Sequence, residues 1–213
     1  MIRKLNLKGC NCYLIVDSGK TYLVDTGTPG NLKRAKKSIR NLDGIILTHA
    51  HYDHAGSAFE ISEHFSCEVY SHVAEHPYLE GREEFRFSGF VGRMIKRLES
   101  LRPMKWIQAE DIEKLRLREF DVVHVPGHTP GSIMLLKGNE AIVGDLIRLR
   151  KKRFMAGEYV VRPSSRNFNW NQSEYVKSLG RLGNLAPLKV HPGHGVSITL
   201  ERDFMERLGV WRK

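Results

Sequence analysis

Short apolar runs divided by turn residues alternate along this chain with stretches of helical period. Cys12-Tyr13-Leu14-Ile15-Val16 and Tyr22-Leu23-Val24 read as two strands joined through Asp17-Ser18-Gly19-Lys20 as a hairpin, and Asp25-Thr26-Gly27 closes the second. The period then switches. Residues 31–40 read as a surface helix, 44–47 as a short buried strand, 57–65 as a second helix and 67–71 as another strand. Residues 120–125, 133–137 and 141–143 read as apolar strands, the last two joined by the turn Lys137-Gly138-Asn139-Glu140. A helix over 172–182, a strand over 188–190 and a C-terminal helix over 200–208 follow. Residues 146–170 show no sustained period and mix basic with aromatic side chains, which predicts a surface loop facing substrate. Strands alternating with helices predict the α/β class, a sheet covered by helices.

One segment breaks this rhythm. Between 75 and 114, Phe87, Phe90, Val91, Met94, Ile95, Leu98 and Leu101 follow a helical period while Arg93, Lys96, Arg97 and Arg102 fill the other face, predicting an inserted amphipathic, basic helix. Packing on the domain, closing as a lid over a site, or meeting a partner or a membrane surface would each use such a stripe. With 213 residues the chain is long enough for a full core and is expected to form one domain over 1–213.

Chemistry concentrates in Thr48-His49-Ala50-His51-Tyr52-Asp53-His54-Ala55-Gly56, directly after the apolar run Ile45-Ile46-Leu47. Three imidazoles and a carboxylate this close would repel or desolvate one another without a cation among them, and their donor atoms suit zinc or iron. On extended chain His49 and His51 point to the same side, and Asp53 starts the helix that follows. His-x-His-x-Asp-His after an apolar strand resembles the signature of the metallo-β-lactamase superfamily, which includes glyoxalase II, lactonases, ribonuclease Z, persulfide dioxygenases and the lactamases. Three Gly-rich turns, Pro126-Gly127-His128-Thr129-Pro130-Gly131-Ser132, Val143-Gly144-Asp145 and His191-Pro192-Gly193-His194-Gly195, are similar, in this order, to the family's remaining metal motifs.

The resemblance implies a four-layer αβ/βα sandwich with one metal held by His49, His51 and His128, a second by Asp53, His54 and His194, and Asp145 bridging both. Two zinc ions, with iron or manganese as alternatives, and a bridging hydroxide are implied as the cofactor set. Such a centre keeps about one positive charge and suits an anionic substrate or transition state. Asp53 is implied as the catalytic proton carrier. Asp25 resembles the family's buried acid behind the ligands, beside the plainer reading of a strand-ending turn. His64, His72, His76, His124 and His191 fall outside the matched motifs.

A carboxylate at Asp145, where many true lactamases carry cysteine, points to the glyoxalase II, lactonase and phosphodiesterase branches. His51 stands where oxygen-reducing diiron relatives carry Glu. The implied activity is hydrolysis of a small ester, thioester or lactone, with Arg148, Tyr159 and Arg162 as candidate substrate contacts. A persulfide-dioxygenase-like enzyme with one iron, and a phosphodiesterase or nuclease, are the alternatives.

Charge and cysteine content change this picture little. The net charge of +10 is scattered over residues 33–40, 82–105 and 148–153 without a nucleic-acid module, so a small-molecule substrate is expected rather than nucleic acid. Three cysteines are too few and odd in number for a disulfide framework, and Cys10 and Cys12 read as reduced strand residues. No signal-peptide core and no apolar run near the roughly 20 residues of a membrane span appears, so a soluble cytoplasmic protein is expected.

Overall fold

The computed structural model describes residues 1–85, 89–151 and 159–208; the side chains of Phe90, Val91, Ile95, Leu98, Lys151, Tyr159 and Arg207 lie outside that description. The first of two sheets runs β1 (Ile2–Leu5), β2 (Cys12–Asp17), β3 (Lys20–Val24), β4 (Gly44–Ile46), β5 (Glu68–Ser71) and β6 (Glu110–Asp111), in that spatial order. Its first three strands are antiparallel, and from β3 to β6 the pairing is parallel. Parallel neighbours need crossovers. Helix α1 (Leu32–Ser38) supplies the one before β4, while α2 (Tyr52–Ala55) and α3 (Ala58–Phe65) supply the one before β5. Helices α4 (His76–Leu79) and α5 (Gly89–Leu101) lie between β5 and β6.

The second sheet contains β7 (Asp121–His124), β8 (Ile133–Lys137), β9 (Glu140–Lys151), β10 (Tyr159–Pro163), β11 (Leu188–His194) and β12 (Ile198–Leu200). The spatial order is β12-β11-β9-β8-β7, with β10 folded back antiparallel on β9. Helix α6 (Gln172–Asn184) makes β11 parallel to β9, and α7 (Phe204–Leu208) follows β12.

Alternation along the strands divides the apolar residues between an inner and two outer cores. Tyr13, Ile15, Val24 and Ile46 meet Ile133, Leu135 and Ile142 between the sheets. Their neighbours Leu23 and Ile45 pack outward with Ala35, Ala58 and Ile61 of α1 and α3, whereas Ala141, Val143 and Val190 pack with Tyr175, Leu179 and Leu182 of α6. Helix, sheet, sheet and helix are therefore the four layers, and strands buried on both faces read as continuous apolar runs.

Several elements differ from the sequence reading. Residues 146–170 are not one loop: β9 continues to Lys151 and β10 returns beside it, with Ile147 and Leu149 buried in alternation with Arg148 and Arg150. Segment 75–114 is not wholly an insertion, because Glu110–Asp111 forms the last strand of the first sheet. Leu200 belongs to β12, and the terminal helix starts at Phe204. On α5, Met94 and Leu101 of the expected buried stripe are 48% and 76% exposed, while the stripe positions Phe87, Phe90, Val91, Ile95 and Leu98 lie outside the described residues or side chains. No helix among the described residues is long and apolar enough to cross a membrane.

Candidate metal centre

The ligand-type residues gather where strands end. Asp25 follows β3, Thr48 to His51 follow β4, Asp53 and His54 open α2, His128 follows β7, and His194 closes β11. Asp145 lies within β9 beside Gly144, where the pairing with β11 shifts register. Nitrogens of His49, His51 and His128 lie within 4.8 Å of one another, and so do the donor atoms of Asp53, His54 and His194. Asp145 stands between the two sets. Its Oδ1 is 3.3 Å from His54 Nε2 and 3.4 Å from His194 Nε2, and its Oδ2 is 3.7 Å from His128 Nε2. Such contact requires bare backbone opposite: a Cβ on Gly193 would fall 2.5 Å from Asp145 Oδ1 and 2.6 Å from His54. The seven residues singled out as ligands are thus brought together.

Hydrogen bonds behind the imidazoles aim their other nitrogens inward. Asp25 Oδ2 lies 2.8 Å from His54 Nδ1 and accepts the Thr48 hydroxyl at 2.8 Å, while that hydroxyl oxygen lies 3.0 Å from His49 Nδ1. One buried carboxylate therefore orients His54 directly and His49 through Thr48. His128 Nδ1 lies 3.1 Å from Asn169 Oδ1 and 3.0 Å from Ser164 Oγ, and Asn169 is fixed by donating to Gln172. At His49 and His128 the pattern leaves Nε2 as the lone-pair nitrogen. At His54 burial favours the neutral ring, but Cys10, Asp25 and Asp145 outweigh it and hold the pKa well above the usual imidazole value.

The electrostatics fit a cation. Burial, reinforced by neighbouring imidazoles, holds His49 and His51 well below the usual imidazole value, and burial pushes His128 down to about 4, so all three are neutral near pH 7. Burial opposes the charge on Asp145, but His194, His54 and Arg148 outweigh it and hold the carboxyl well below its usual range. The Nε2 atoms of His54 and His128 and the Oδ1 of Asp145 are buried and make no hydrogen bond. Orphaned polar atoms of this kind are costly unless a cation satisfies them. Two sets of three donors sharing a carboxylate could hold two divalent ions.

The substrate candidates separate. Arg148 donates to Asp145 Oδ2 at 2.7 Å, with its guanidinium 5.8 Å above the Phe168 ring. Arg162 is exposed and pairs with Arg148 across the β9–β10 hairpin; Tyr159 pairs with Lys151, but its side chain is outside the description. Beside His51, Phe85 presents its ring edge-on at 4.5 Å and stacks on Tyr78 at 4.0 Å. Tyr78 and Phe85 border a largely apolar cavity of about 260 Å³ and, with Phe168 and Trp170, a wider cleft of about 850 Å³. Sequence reasoning missed Thr48, Ser164 and Asn169. Thr48 borders the motif and was within reach, whereas nothing local marks Ser164 or Asn169. Among the remaining histidines, His72 and His124 stack on each other at 4.0 Å, and His191 faces Ser197 and Glu140.

This sandwich, with its edge of imidazoles and carboxylates, matches a family profile, Metallo-beta-lactamase superfamily, over residues 5–194, and the chain belongs to that superfamily. A probable metallo-hydrolase of Methanocaldococcus jannaschii is 30% identical over 206 residues, covering 92% of this chain and 93% of that protein. A hydroxyacylglutathione hydrolase of Haemophilus influenzae, GloC, is 28% identical over 168 residues, covering 73% and 76%. Among solved structures, the protein TTHA1623 in a di-iron-bound form superposes with a TM-score of 0.68 at 26% identity, over 93% of each chain.

Proposed function

We propose that this chain is a binuclear metal-dependent hydrolase of small acyl substrates, thioesters first and esters or lactones next. The observation that carries the reading is Asp145, whose two oxygens face different histidines of two separate donor sets. A mononuclear site at His49, His51 and His128 would leave unused the second convergence of donors, at Asp53, His54 and His194. His49, His51 and His128 would hold one divalent cation, Asp53, His54 and His194 a second, with Asp145 shared. Zinc suits these donors, and the di-iron form of TTHA1623 makes iron the other candidate. When bound, the cations supply acidification of a water and polarisation of the scissile carbonyl.

The protein's own groups then have distinct tasks. Asp53 is half-buried, 3.1 Å from His194, and is the carboxylate placed to take a proton from the attacking water and return it to the leaving group. Arg148 offers a cation beside Asp145 to an anionic substrate group. The Tyr78–Phe85 wall accepts an apolar acyl arm. A thioester as substrate agrees with the name of the Haemophilus influenzae relative.

Elemental analysis of purified protein, followed by thiol-release assays on hydroxyacyl-glutathione and simpler acyl thioesters, tests this reading. About two metal ions per chain and thioester turnover are expected. His51→Ala should lose metal and fall to background, while His64→Ala, on the exposed side of α3, should retain both. One metal ion per chain or fewer, or no turnover across thioesters, esters and lactones, would reject the proposal.

A further inference from the structure

Glu75 is a fully buried carboxyl that the chemistry above does not use. It ends the short 3-10 turn Val73–Glu75 after β5, and its two oxygens serve different parts of the chain. Oε2 accepts the Ala50 amide at 2.7 Å, and Oε1 accepts the Gly131 amide at 2.6 Å. Ala50 stands between His49 and His51, and Gly131 belongs to the turn that carries His128. The first loop hangs from the first sheet, the second from the second sheet. This placement is expensive: burial pushes the Glu75 pKa up to about 7, against the pull of Thr129 and of the two amides. The surroundings are shaped for it as well, since a Cβ on Gly131 would fall 2.8 Å from Glu75 Cγ and 3.0 Å from Oε1.

We propose that Glu75 is a positioning residue of the metal centre, its carboxyl stapling the His49–His51 loop to the His128 turn and so setting the spacing of the three imidazoles. The inference rests on the metal-binding role proposed for those histidines. One backbone bond also crosses the seam nearby, from the Ile133 amide of β8 to Thr48 O at 2.9 Å, but it holds the chain before His49 and after Gly131 rather than between the imidazoles. A ligand set tolerates only a few tenths of an ångström of drift across the seam. Short hydrogen bonds to a buried carboxyl supply the needed stiffness.

Glu75→Gln tests this, because the amide keeps one acceptor and turns a donor toward the other backbone N–H. In cobalt(II)-loaded protein, affinity measured by chelator competition should fall about tenfold or more, with an altered visible d–d spectrum. Ile61→Val, in the core beneath α3, should leave both at their wild-type values. In metal-free protein, amide exchange at Ala50 and Gly131 should accelerate together in the Gln variant. Gly131→Ala, which pushes the carboxyl aside without removing it, should reproduce these changes, and it decides the question if Glu75→Gln does not fold. Unchanged cobalt affinity and spectrum, or exchange that stays slow at both amides, overturns the staple. Wild-type protein that takes up no cobalt would reject the metal-centre reading instead, and the exchange rates would still decide the staple.

Discussion

Asp25 serves two imidazoles with one carboxylate, touching His54 directly and His49 through the Thr48 hydroxyl. It also accepts the Thr48 amide at 2.8 Å, and it sits at φ +60, a left-handed conformation that Asp tolerates better than most residues. Asp25 thus both follows the strand β3 and hydrogen-bonds the imidazoles proposed as ligands. Asp25→Asn keeps the size but turns an amide donor toward groups that already donate. Metal affinity should drop by about ten- to a hundredfold, read by chelator competition on a folded variant; unchanged affinity would assign Asp25 to the turn alone. The residues facing the centre were legible because clustered imidazoles have few other uses. Those behind them, such as Ser164 and Asn169, reach His128 from the segment between β10 and α6, and only the tertiary fold brings them there.

At the scale of elements, the His128 turn is held less by its own sequence than by α6. Asn171 donates its amide to Gly127 O at 2.9 Å and caps α6 by accepting from Ser173 and Glu174, while Trp170 donates to His128 O at 3.0 Å. Gly127 lies at φ +126, and a Cβ there would fall 2.1 Å from the Tyr175 amide nitrogen. Gly127→Ala should cost about 3 kcal/mol of stability and disturb His128. Gly138→Ala, at φ +57 in open space on the β8–β9 hairpin, should cost about 1 kcal/mol. Urea denaturation of the metal-free variants checks the contrast, and equal losses would contradict it. The hairpin turn at Gly138 was legible from its own residues, whereas the β9–β10 hairpin was not. Its apolar positions Ile147 and Leu149 alternate with arginines that sequence reading assigned to a solvated loop, because the sheet burying their other face lies far away in sequence.

For the whole molecule, the two sheets share the inner core, and the donor sets draw on both. A cation bound there would tie the halves together, so removing it should lower stability beyond the loss of local contacts. At a free metal concentration 100-fold above its dissociation constant, binding contributes about 2.7 kcal/mol. For a chain of this size that corresponds to roughly 5–10 °C in Tm. Thermal melts before and after chelation measure it, and coincident melts would mean that the metal is absent or does not distinguish folded from unfolded chain. The α/β class was visible from the apolar runs, and the seven candidate ligands followed from the resemblance of the His-x-His-x-Asp-His motif and the Gly-rich turns to the family's motifs. The division into two facing sheets was not visible from periodicity, because strands buried on both faces look alike wherever they lie. The same division has a consequence for synthesis. His49 and His51 leave the ribosome early, His128 only after the whole first sheet, and His194 at the end of β11, so a growing chain holds an incomplete ligand set for most of its translation. Any chemistry of the proposed metal centre would arrive only with the last strands, and a chain cut short before them would lack His194.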